Sequence, residues 1–494
     1  METNNQTKKI VSYLIEHKIL VSDTFIQTLQ DPSQVKKILE KIEDPNFKIQ
    51  SEQDLLILEP TNQESVHHAL FNPLEVVFNY KDTPKKREFQ DFVSFFNARY
   101  QSLSKLLQQR QDLQFLTSIS RVLEKRDKDQ LSIIAMVTNK ENTKNGNIML
   151  TVEDPTGMIK VLVNKSKQEV YDQAKDLVLD EVIGIVGGNG DNILFANKII
   201  WPDVPFTKEL KKGPEELYAV FLSDIHVGSK YFLEEELQQF MDWVNGNIGN
   251  DAQKSIAKKI GYVFVIGDLV DGVGIYPGQE KELILLDVKK QYEEFARIFS
   301  QIPKHIKLIM CPGNHDAMRL AEPQLELYTE FSQPIWDLPN SVMVTNPAVV
   351  NIGKSGGFPG FDVLIYHGYS FDYYAANVES IRTQGGAQRA DLIMKFLLQR
   401  RHLAPTHTST LYIADANKDS LVIQDVPDIF AAGHLHKSQI SSYRNVAIIA
   451  GSCWQAKTSF QEKIGHTPDP CRVPVLNLKT REITMMSFSK EDGN

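Results

Sequence analysis

Side chains able to bind metal ions occur in five short clusters in the second half of the chain, and each cluster directly follows a predicted strand. In sheets built from alternating strands and helices, ligands gather at the carboxyl ends of the strands, so clusters far apart in sequence can converge on one point. The clusters are Asp224 and His226; Asp268 and Asp271; Asn314, His315 and Asp316; His367; and His434 and His436.

The residue types in these clusters predict both the metal and the reaction. Carboxylate, imidazole and amide oxygen together suit a pair of divalent ions such as Mn²⁺, Fe²⁺ or Zn²⁺, whereas a thiolate site or an all-oxygen calcium site needs other ligands. Two such ions about 3.5 to 4 Å apart hold the attacking and leaving oxygens of a displacement at phosphorus and lower the pKa of a bridging water. The predicted reaction is therefore hydrolysis of a phosphoester.

Taken alone, each cluster is a weak signal. A lone histidine is more often a surface or core residue than a ligand, and GlyAsnHisAsp can be a simple turn because Asn and Asp tolerate positive φ. All five clusters in this order, each just after a strand, indicate one shared site.

The elements that must position these clusters alternate between strands and helices from residue 214 onwards. Short apolar runs bounded by polar or glycine turns predict buried strands, and the longer segments between them predict helices. The predicted strands cover 218–222, 262–266, 306–311, 363–366, 429–432 and 446–449, and the predicted helices cover 232–244, 283–300 and 387–400.

The first half of the chain has a different pattern of apolar residues and turns. We predict a small helical domain over 1–60, a proline-bearing linker over 61–88, and a connecting helix over 89–117 with a core-facing apolar stripe from Phe89 to Leu107. Strands at 131–138, 148–153, 158–163, 182–186 and 193–200, with a helix at 167–175, predict a barrel of the oligonucleotide-binding (OB) type over 118–206. Such barrels bind single strands or other proteins, so the fold does not decide the ligand. The whole chain is thus a multidomain protein of mixed α+β and α/β class.

The composition excludes several classes of protein. The chain has 494 residues, 54 basic and 63 acidic side chains, a net charge of −9 and 42% hydrophobic residues, which is ordinary globular usage. No apolar run approaches the ~18 residues of a membrane-spanning helix, and residues 1–6 carry no secretory signal. The cysteines form no metal motif. We therefore expect a cytoplasmic protein without membrane contact. A net negative chain needs metals, a local basic patch or a basic partner to approach nucleic acid.

The ordered motifs resemble those of the calcineurin-like metallophosphoesterase superfamily, whose fold is a β-sandwich flanked by helices, with two metals at one sheet edge; here the domain would cover 214–490. The motifs are AspIleHis, GlyAspLeuValAsp, GlyAsnHisAsp, TyrHisGly and GlyHisLeuHis. The resemblance implies that His315 acts as general acid or stabilises the leaving oxygen, and that the Asp271 carboxylate orients it. It also implies that Asp268 bridges the metals, the first held by Asp224, His226, Asp268 and His436, and the second by Asn314, His367 and His434.

A narrower resemblance lies around these motifs, at 274–279, 302–307, 312–319, 400–406 and 426–430, which are similar to the small subunits of archaeal D-family DNA polymerases. This resemblance implies a 3′→5′ exonuclease that proofreads single-stranded or mismatched DNA 3′ ends with two divalent metals, Mn²⁺ ahead of Fe²⁺ or Zn²⁺. It also implies a stable heterodimer with a large catalytic polymerase subunit, and contact with a sliding clamp through that holoenzyme.

Two other functions compete with the nuclease. A catalytically silent scaffold would only hold the polymerase together, but the scaffold relatives have lost metal-binding residues, whereas every ligand position is filled here. Protein phosphatases of the superfamily carry an arginine after the second acid, and this chain has Gly272 and Val273 after Asp271, which argues against a phosphatase or nucleotide hydrolase. The nearby cations Arg319, Lys230 and Arg382 are candidates for DNA phosphate contacts or for ordinary surface charges.

Overall fold

Two six-stranded sheets and a closed five-stranded barrel make up the part of the chain that the computed structural model describes. The described residues are 10, 38, 72–82, 84–124, 130–463 and 465–489, so the helical domain predicted over 1–60 lies outside them, apart from Ile10 and Ile38. The elements named below all belong to the compact unit His68–Asn494. Within the described residues, no helix is both long and apolar enough to cross a membrane.

The barrel strands precede most of the sheet strands in the chain. The strands are β1 Leu74–Asn79, β2 Gln130–Asn142, β3 Ile148–Asp154, β4 Gly157–Val163, β5 Val182–Asn189, β6 Ile193–Ile200, β7 Tyr218–Leu222, β8 Ile260–Ile266, β9 Lys307–Cys311, β10 Ser341–Met343, β11 Ala348–Ile352, β12 Phe361–Tyr366, β13 Ile429–Ala432, β14 Gln439–Tyr443, β15 Val446–Ala450, β16 Arg472–Asn477 and β17 Ile483–Ser487. The α-helices are α1 Phe89–Gln108, α2 Ile119–Glu124, α3 Gln168–Lys175, α4 Glu234–Val244, α5 Asp251–Ala257, α6 Val288–Phe299, α7 Thr329–Trp336, α8 Phe371–Asn377, α9 Glu379–Thr383, α10 Ala390–Arg400 and α11 Ser459–Lys463. Short 3₁₀-helices cover Gln279–Lys281, Gly386–Gln388 and His407–Ser409.

The barrel closes in the strand order β2-β3-β4-β6-β5, with β5 pairing back onto β2. Neighbouring strands are antiparallel, except that β4 and β6 run parallel. Alternate residues of β3, such as Leu150 and Val152, are buried and join a core shared by all five strands. The five predicted strands, and the helix predicted between the third and the fourth, are confirmed.

The two sheets form a sandwich, a name used here for β1 and β7–β17 with the helices between them. One sheet has the order β1-β11-β12-β13-β15-β14 and the other β10-β9-β8-β7-β16-β17. Side chains of both sheets form one apolar core, in which the rings of Phe221 and Phe264 stack 4.9 Å apart. Helices α4 and α6 pack on the second sheet, and α8 and α10 pack on the first. Every residue of β8 is buried, which explains its unbroken apolar sequence, and the six predicted strands of this region are confirmed.

The segment predicted as a linker over 61–88 contains a strand of the sandwich. Strand β1 pairs antiparallel with β11 at the edge of the first sheet. The Tyr262 hydroxyl donates to the Pro73 carbonyl oxygen over 2.9 Å, which anchors the start of the strand. Prolines and half-exposed side chains are tolerated at a sheet edge, and Val77 is 55% exposed. The linker prediction is therefore wrong for residues 74–79, because the pairing partner lies far away in sequence.

The connecting helix predicted over 89–117 is present only over Phe89–Gln108, as α1, and residues 109–117 form turns and a short β-bridge. The buried face of α1 also differs from the predicted stripe. Leu103 and Leu107 are buried as expected, whereas Phe89 is 83% exposed. The centre of the buried face is instead Phe95 and Arg99, and the Arg99 guanidinium is buried because it pairs with a carboxylate of the sandwich. The Tyr100 hydroxyl donates to a carbonyl oxygen of β2 over 3.0 Å, so α1 contacts both the barrel and the sandwich.

Candidate metal centre

The seven predicted metal ligands meet at the carboxyl ends of five strands drawn from both sheets. Strands β7, β8 and β9 are mutually parallel, and so are β12 and β13, so the carboxyl ends within each set lie at one sheet edge. The structure brings all of the predicted ligands together: Asp224 and His226 follow β7, Asp268 follows β8, Asn314 follows β9, His367 follows β12, and His434 and His436 follow β13.

The first group of ligands contains Asp224, His226 and His436. His436 Nε2 lies 3.4 Å from Asp224 Oδ1 and 3.1 Å from His226 Nε2. All three side chains are buried, and their ligand atoms lie within 4.8 Å of one another. This spacing allows the three side chains to share one ion.

The second group contains Asn314, His367 and His434. The Asn314 Oδ1 atom lies 3.0 Å from both His367 Nε2 and His434 Nδ1. The two groups are connected by Asp268, whose Oδ2 atom is 3.4 Å from His367 Nε2 and 3.8 Å from His226 Nε2. The position of this carboxylate between histidines of both groups is the position that a bridging ligand requires.

The direction of the hydrogen bonds around His367 indicates that the site is built for a cation. His367 Nδ1 lies 2.9 Å from the Ile266 carbonyl oxygen, which can only accept, so Nδ1 carries the proton. In a neutral ring, Nε2 then points a lone pair at the oxygens of Asn314 and Asp268. A proton on the ring or a metal ion between these atoms would relieve the repulsion of the facing lone pairs. The donor set thus fits divalent metal.

The pKa values of these groups follow from the same arrangement. Burial alone would lower the pKa of His367, but the Asp268 carboxylate outweighs it and raises the pKa to about 10. Burial alone would raise the pKa of Asp268, yet the positive charges of His367 and His315 hold it well below its usual range. The site therefore stabilises positive charge, which a metal ion would supply in place of the ring proton.

The backbone at the site is strained. Non-glycine residues with positive φ are uncommon, and each costs on the order of 1 to 3 kcal/mol outside its usual contexts. The tight turns that follow the strands impose this conformation on five of the seven predicted ligands, with φ between 51° and 73°: Asp224, His226, Asp268, His434 and His436.

Gly313 allows the backbone after β9 to approach Asp268 closely. A Cβ atom at Gly313 would lie 2.2 Å from Asp268 Oδ1 and 2.4 Å from the Asp268 backbone nitrogen, and the backbone nitrogen cannot move away as a side chain can. We expect Gly313→Ala to displace the carboxylate and to weaken Mn²⁺ binding about 10- to 100-fold, as measured by metal titration. Gly188→Ala is the matched control, because a Cβ atom there would meet nothing within 4 Å. Equal Mn²⁺ affinity in both variants would show that the approach is not needed.

His315 and Asp271 are in contact, but not in the way that the resemblance implied. His315 Nδ1 lies 2.8 Å from the backbone carbonyl oxygen of Asp271, whereas its distance to the Asp271 carboxylate is 4.0 Å. That carboxylate instead lies 3.0 Å from His226 Nδ1 and accepts a hydrogen bond from Gln455. Asp271 thus orients His315 through its backbone oxygen, and its carboxylate orients His226.

Several side chains that hold the predicted ligands were missed by the sequence analysis. The Asp372 carboxylate lies 3.0 Å from His434 Nε2, and the Gln461 amide donates to His436 Nδ1 over 2.9 Å. Partners of this kind fix the ring orientation of metal-binding histidines. Asp372 lies only five residues after His367, and this short spacing is the one signal that could have indicated it. Gln461 has no such signal, since it belongs to a helix outside all five motifs.

The three cations singled out in the sequence differ in their surroundings. Arg319 Nη1 lies 2.5 Å from Asp82, and Nη2 donates to the Pro323 carbonyl oxygen, so this guanidinium is engaged within the protein. Lys230 and Arg382 are exposed. For Arg319, the structure therefore favours a contact within the protein over a contact with DNA phosphate.

The chain is similar to a known protein family and to several named proteins. A family model described as calcineurin-like phosphoesterase matches residues 218–438. The DNA polymerase II small subunit of Methanothermobacter thermautotrophicus is 38% identical over 390 residues, which are 79% of this chain and 78% of the relative. That of Pyrococcus furiosus is 34% identical over 91% of this chain and 74% of its own length. That of Archaeoglobus fulgidus is 38% identical over 78% of this chain and 75% of its own length.

Proposed function

Because the chain belongs to the family of DNA polymerase II small subunits and has a calcineurin-like phosphoesterase domain, we propose that it is a two-metal 3′→5′ DNA exonuclease. Membership of these families implies divalent metal ions and a large catalytic subunit as partner. In the proposal, the chain proofreads single-stranded or mismatched 3′ ends within that heterodimer, with Mn²⁺ as the metal.

The observation that carries the proposal is the position of Asp268 between two groups of ligands. Its Oδ2 atom lies within 3.8 Å of histidines from both groups. Two ions sharing one carboxylate suit the displacement of one oxygen by another at phosphorus. The filled ligand set favours this nuclease over a catalytically silent scaffold.

In the proposed reaction, the 3′-terminal nucleotide is transferred to water. A water oxygen forms a bond to the phosphorus of the terminal phosphodiester, and the bond from phosphorus to the 3′ oxygen of the preceding nucleotide breaks. The water loses a proton and the 3′ oxygen gains one, so the products are a nucleoside 5′-monophosphate and a shortened strand with a 3′ hydroxyl. When bound, the metal ions would neutralise the phosphate and lower the pKa of the attacking water.

The residues of the chain contribute orientation and a proton. The Asp271 carboxylate holds His226, the Ile266 carbonyl oxygen holds His367, and the His315 backbone N–H donates to Asp268 over 2.8 Å. These contacts aim the donor atoms before substrate binds, which lowers the cost of assembling the site. Because Nδ1 of His315 is hydrogen-bonded to a carbonyl oxygen, Nε2 is the ring atom that can give a proton to the leaving 3′ oxygen.

We expect His315→Ala to slow turnover about 10²- to 10⁴-fold without loss of metal. Burial lowers the pKa of His315, and the charge of a bound phosphodiester would oppose this shift and favour protonation of the ring. Single-turnover cleavage rates and Mn²⁺ content by elemental analysis test this expectation. His305→Ala, outside the five motifs, is the control. A fall in Mn²⁺ content in His315→Ala would identify His315 as a ligand instead of a proton donor.

The direct test of the proposed function is cleavage of a 3′-mismatched primer-template by the full chain with its large subunit. We expect metal-dependent removal of nucleotides from the 3′ end, and its loss when a chelator removes the metal. A complex that forms but cleaves nothing with Mn²⁺, Fe²⁺ or Zn²⁺ would contradict the nuclease and support the scaffold.

Further proposals concern the rest of the chain. The strand order of the barrel, with its helix between the third and fourth strands, supports an OB-type assignment. We also propose contact of the holoenzyme with a sliding clamp. The domain limits that we propose are 1–60, 118–206 and 214–490, with β1 added to the last of them.

A further inference from the structure

An open cleft of about 800 Å³ lies beside the metal centre. Its aromatic lining comes from Phe92 of α1 and from Tyr369, Tyr373 and Tyr412 of the sandwich. The volume falls within the ~300 to 1,000 Å³ typical of ligand sites. The reaction described above uses none of these four side chains.

The cleft is continuous with the second group of metal ligands. The ring of Tyr369 lies 5.8 Å from the ring of His434, measured between centroids. Asp372, which also lines the cleft, lies 3.0 Å from His434 Nε2. A strand whose terminal phosphodiester lay at the metal centre would therefore have this cleft directly beside it.

The charges of the cleft suit bases better than phosphates. Within the described part of the chain, no lysine or arginine lines it, and its acidic and basic side chains are Asp372 and His407. A groove that follows a nucleic-acid backbone needs cations, whereas bases stack on aromatic rings whatever their sequence. The one carboxylate of the lining is already engaged with His434.

The aromatic rings differ in how firmly they are held. Tyr412 stacks on Phe95 with 4.8 Å between centroids, and its hydroxyl lies 2.6 Å from His407 Nδ1, so it is a fixed part of the wall. Phe92 is 37% exposed, and Tyr373 is half-buried. Both rings are therefore accessible to a ligand.

We propose that the cleft is a base-stacking site for the last one or two unpaired nucleotides of a DNA strand whose terminal phosphodiester lies at the metal centre. The inference rests on the proposed nuclease and deepens it by naming the side chains that would bind the unpaired bases of the 3′ end. A base must leave its partner before it can stack on protein rings, and this costs least for a mismatched base. The cleft thus selects frayed ends over paired ones.

The test uses the full chain with its large subunit and compares two substrates. One is a 3′-mismatched primer-template, and the other is methyl p-nitrophenyl phosphate, a small phosphodiester without a base. We expect Phe92→Ala and Tyr373→Ala each to lower kcat/KM on DNA by about 10-fold, with hydrolysis of the small diester unchanged. Phe115→Ala is the control, because this phenylalanine is 77% exposed and does not line the cleft. An abasic terminal nucleotide should slow the wild type by a similar factor and the variants no further.

The possible outcomes separate the two proposals. Wild-type rates on DNA in both cleft variants would overturn the stacking site while leaving the nuclease intact. Loss of binding to the large subunit in these variants would show that the cleft is a protein interface and would also overturn it. Failure of the wild type to hydrolyse either substrate would contradict the nuclease itself, and the stacking site with it.

Discussion

Replacing Asp268 by alanine should lower phosphodiester hydrolysis by more than about 10³-fold and leave the association with the large subunit intact. The carboxylate is 2% exposed, and it lies between His226 and His367, so both ligand groups lose a negative oxygen at once. Metal ions contribute several kcal/mol to charge stabilisation in the transition state, and each ~1.4 kcal/mol corresponds to a factor of ten in rate.

The measurement is time-resolved cleavage of a 3′-mismatched primer-template, together with Mn²⁺ content and co-purification with the large subunit. Asp268→Asn keeps the shape and removes the charge, and Asp251→Ala removes an exposed carboxylate outside the site as a control. Loss of the complex in Asp268→Ala would indicate that the metal centre has a structural role. Retention of cleavage would exclude Asp268 as the bridging ligand.

Replacing Asp419 by alanine should destabilise the protein by about 3 to 5 kcal/mol, the largest stability effect that we expect from one substitution. Asp419 Oδ2 lies 2.7 Å from Arg99 Nε and 2.8 Å from His402 Nε2, and all three side chains are almost fully buried. Arg99 Nη1 also donates to the Pro405 carbonyl oxygen over 2.6 Å. Without the carboxylate, the guanidinium stays buried with its charge uncompensated, and α1 loses one of its polar contacts with the sandwich.

The midpoint of denaturant-induced unfolding measures this effect. The surface pair of Arg297, which is 57% exposed, provides the control, since Arg297→Ala should cost less than about 1 kcal/mol. The double variant Arg99→Met/Asp419→Leu should recover part of the loss, because it leaves no buried charge. An unchanged midpoint in Asp419→Ala would show that α1 is held by its apolar contacts alone.

The same ion pair predicts a dependence on pH. Burial alone would raise the pKa of Asp419, but His402 and Arg99 hold it below its usual range. The stabilisation is therefore fully present above the ~3.9 of an unfolded aspartate and is lost as the pH falls through the lower folded value. As the pH falls below about 4, the free energy of unfolding of the wild type should approach that of Asp419→Ala.

The sequence alone predicted a metal site, and it determined most of the strands. Residues that directly follow parallel strands can meet at one sheet edge, so the candidate ligands occur in short motifs such as GlyAsnHisAsp, and such motifs can be recognised without knowing the fold. Buried parallel strands are likewise local, because burial on both faces makes their sequences continuously apolar, as in β8. For these reasons, the ligands from Asp224 to His436 were predicted as one set.

The tertiary structure alone decided which partners complete the site and which contacts hold the domains. Strand β1 was predicted as linker because its partner, β11, lies about 270 residues away in the chain. Whether Asp271 orients His315 by its carboxylate or by its backbone oxygen depends on the path of a turn. Arg99 is charged and carries no motif, and it becomes a core residue only because folding brings Asp419 to it. Each of these features depends on pairing between distant segments, and residue type and local spacing contain no record of that pairing.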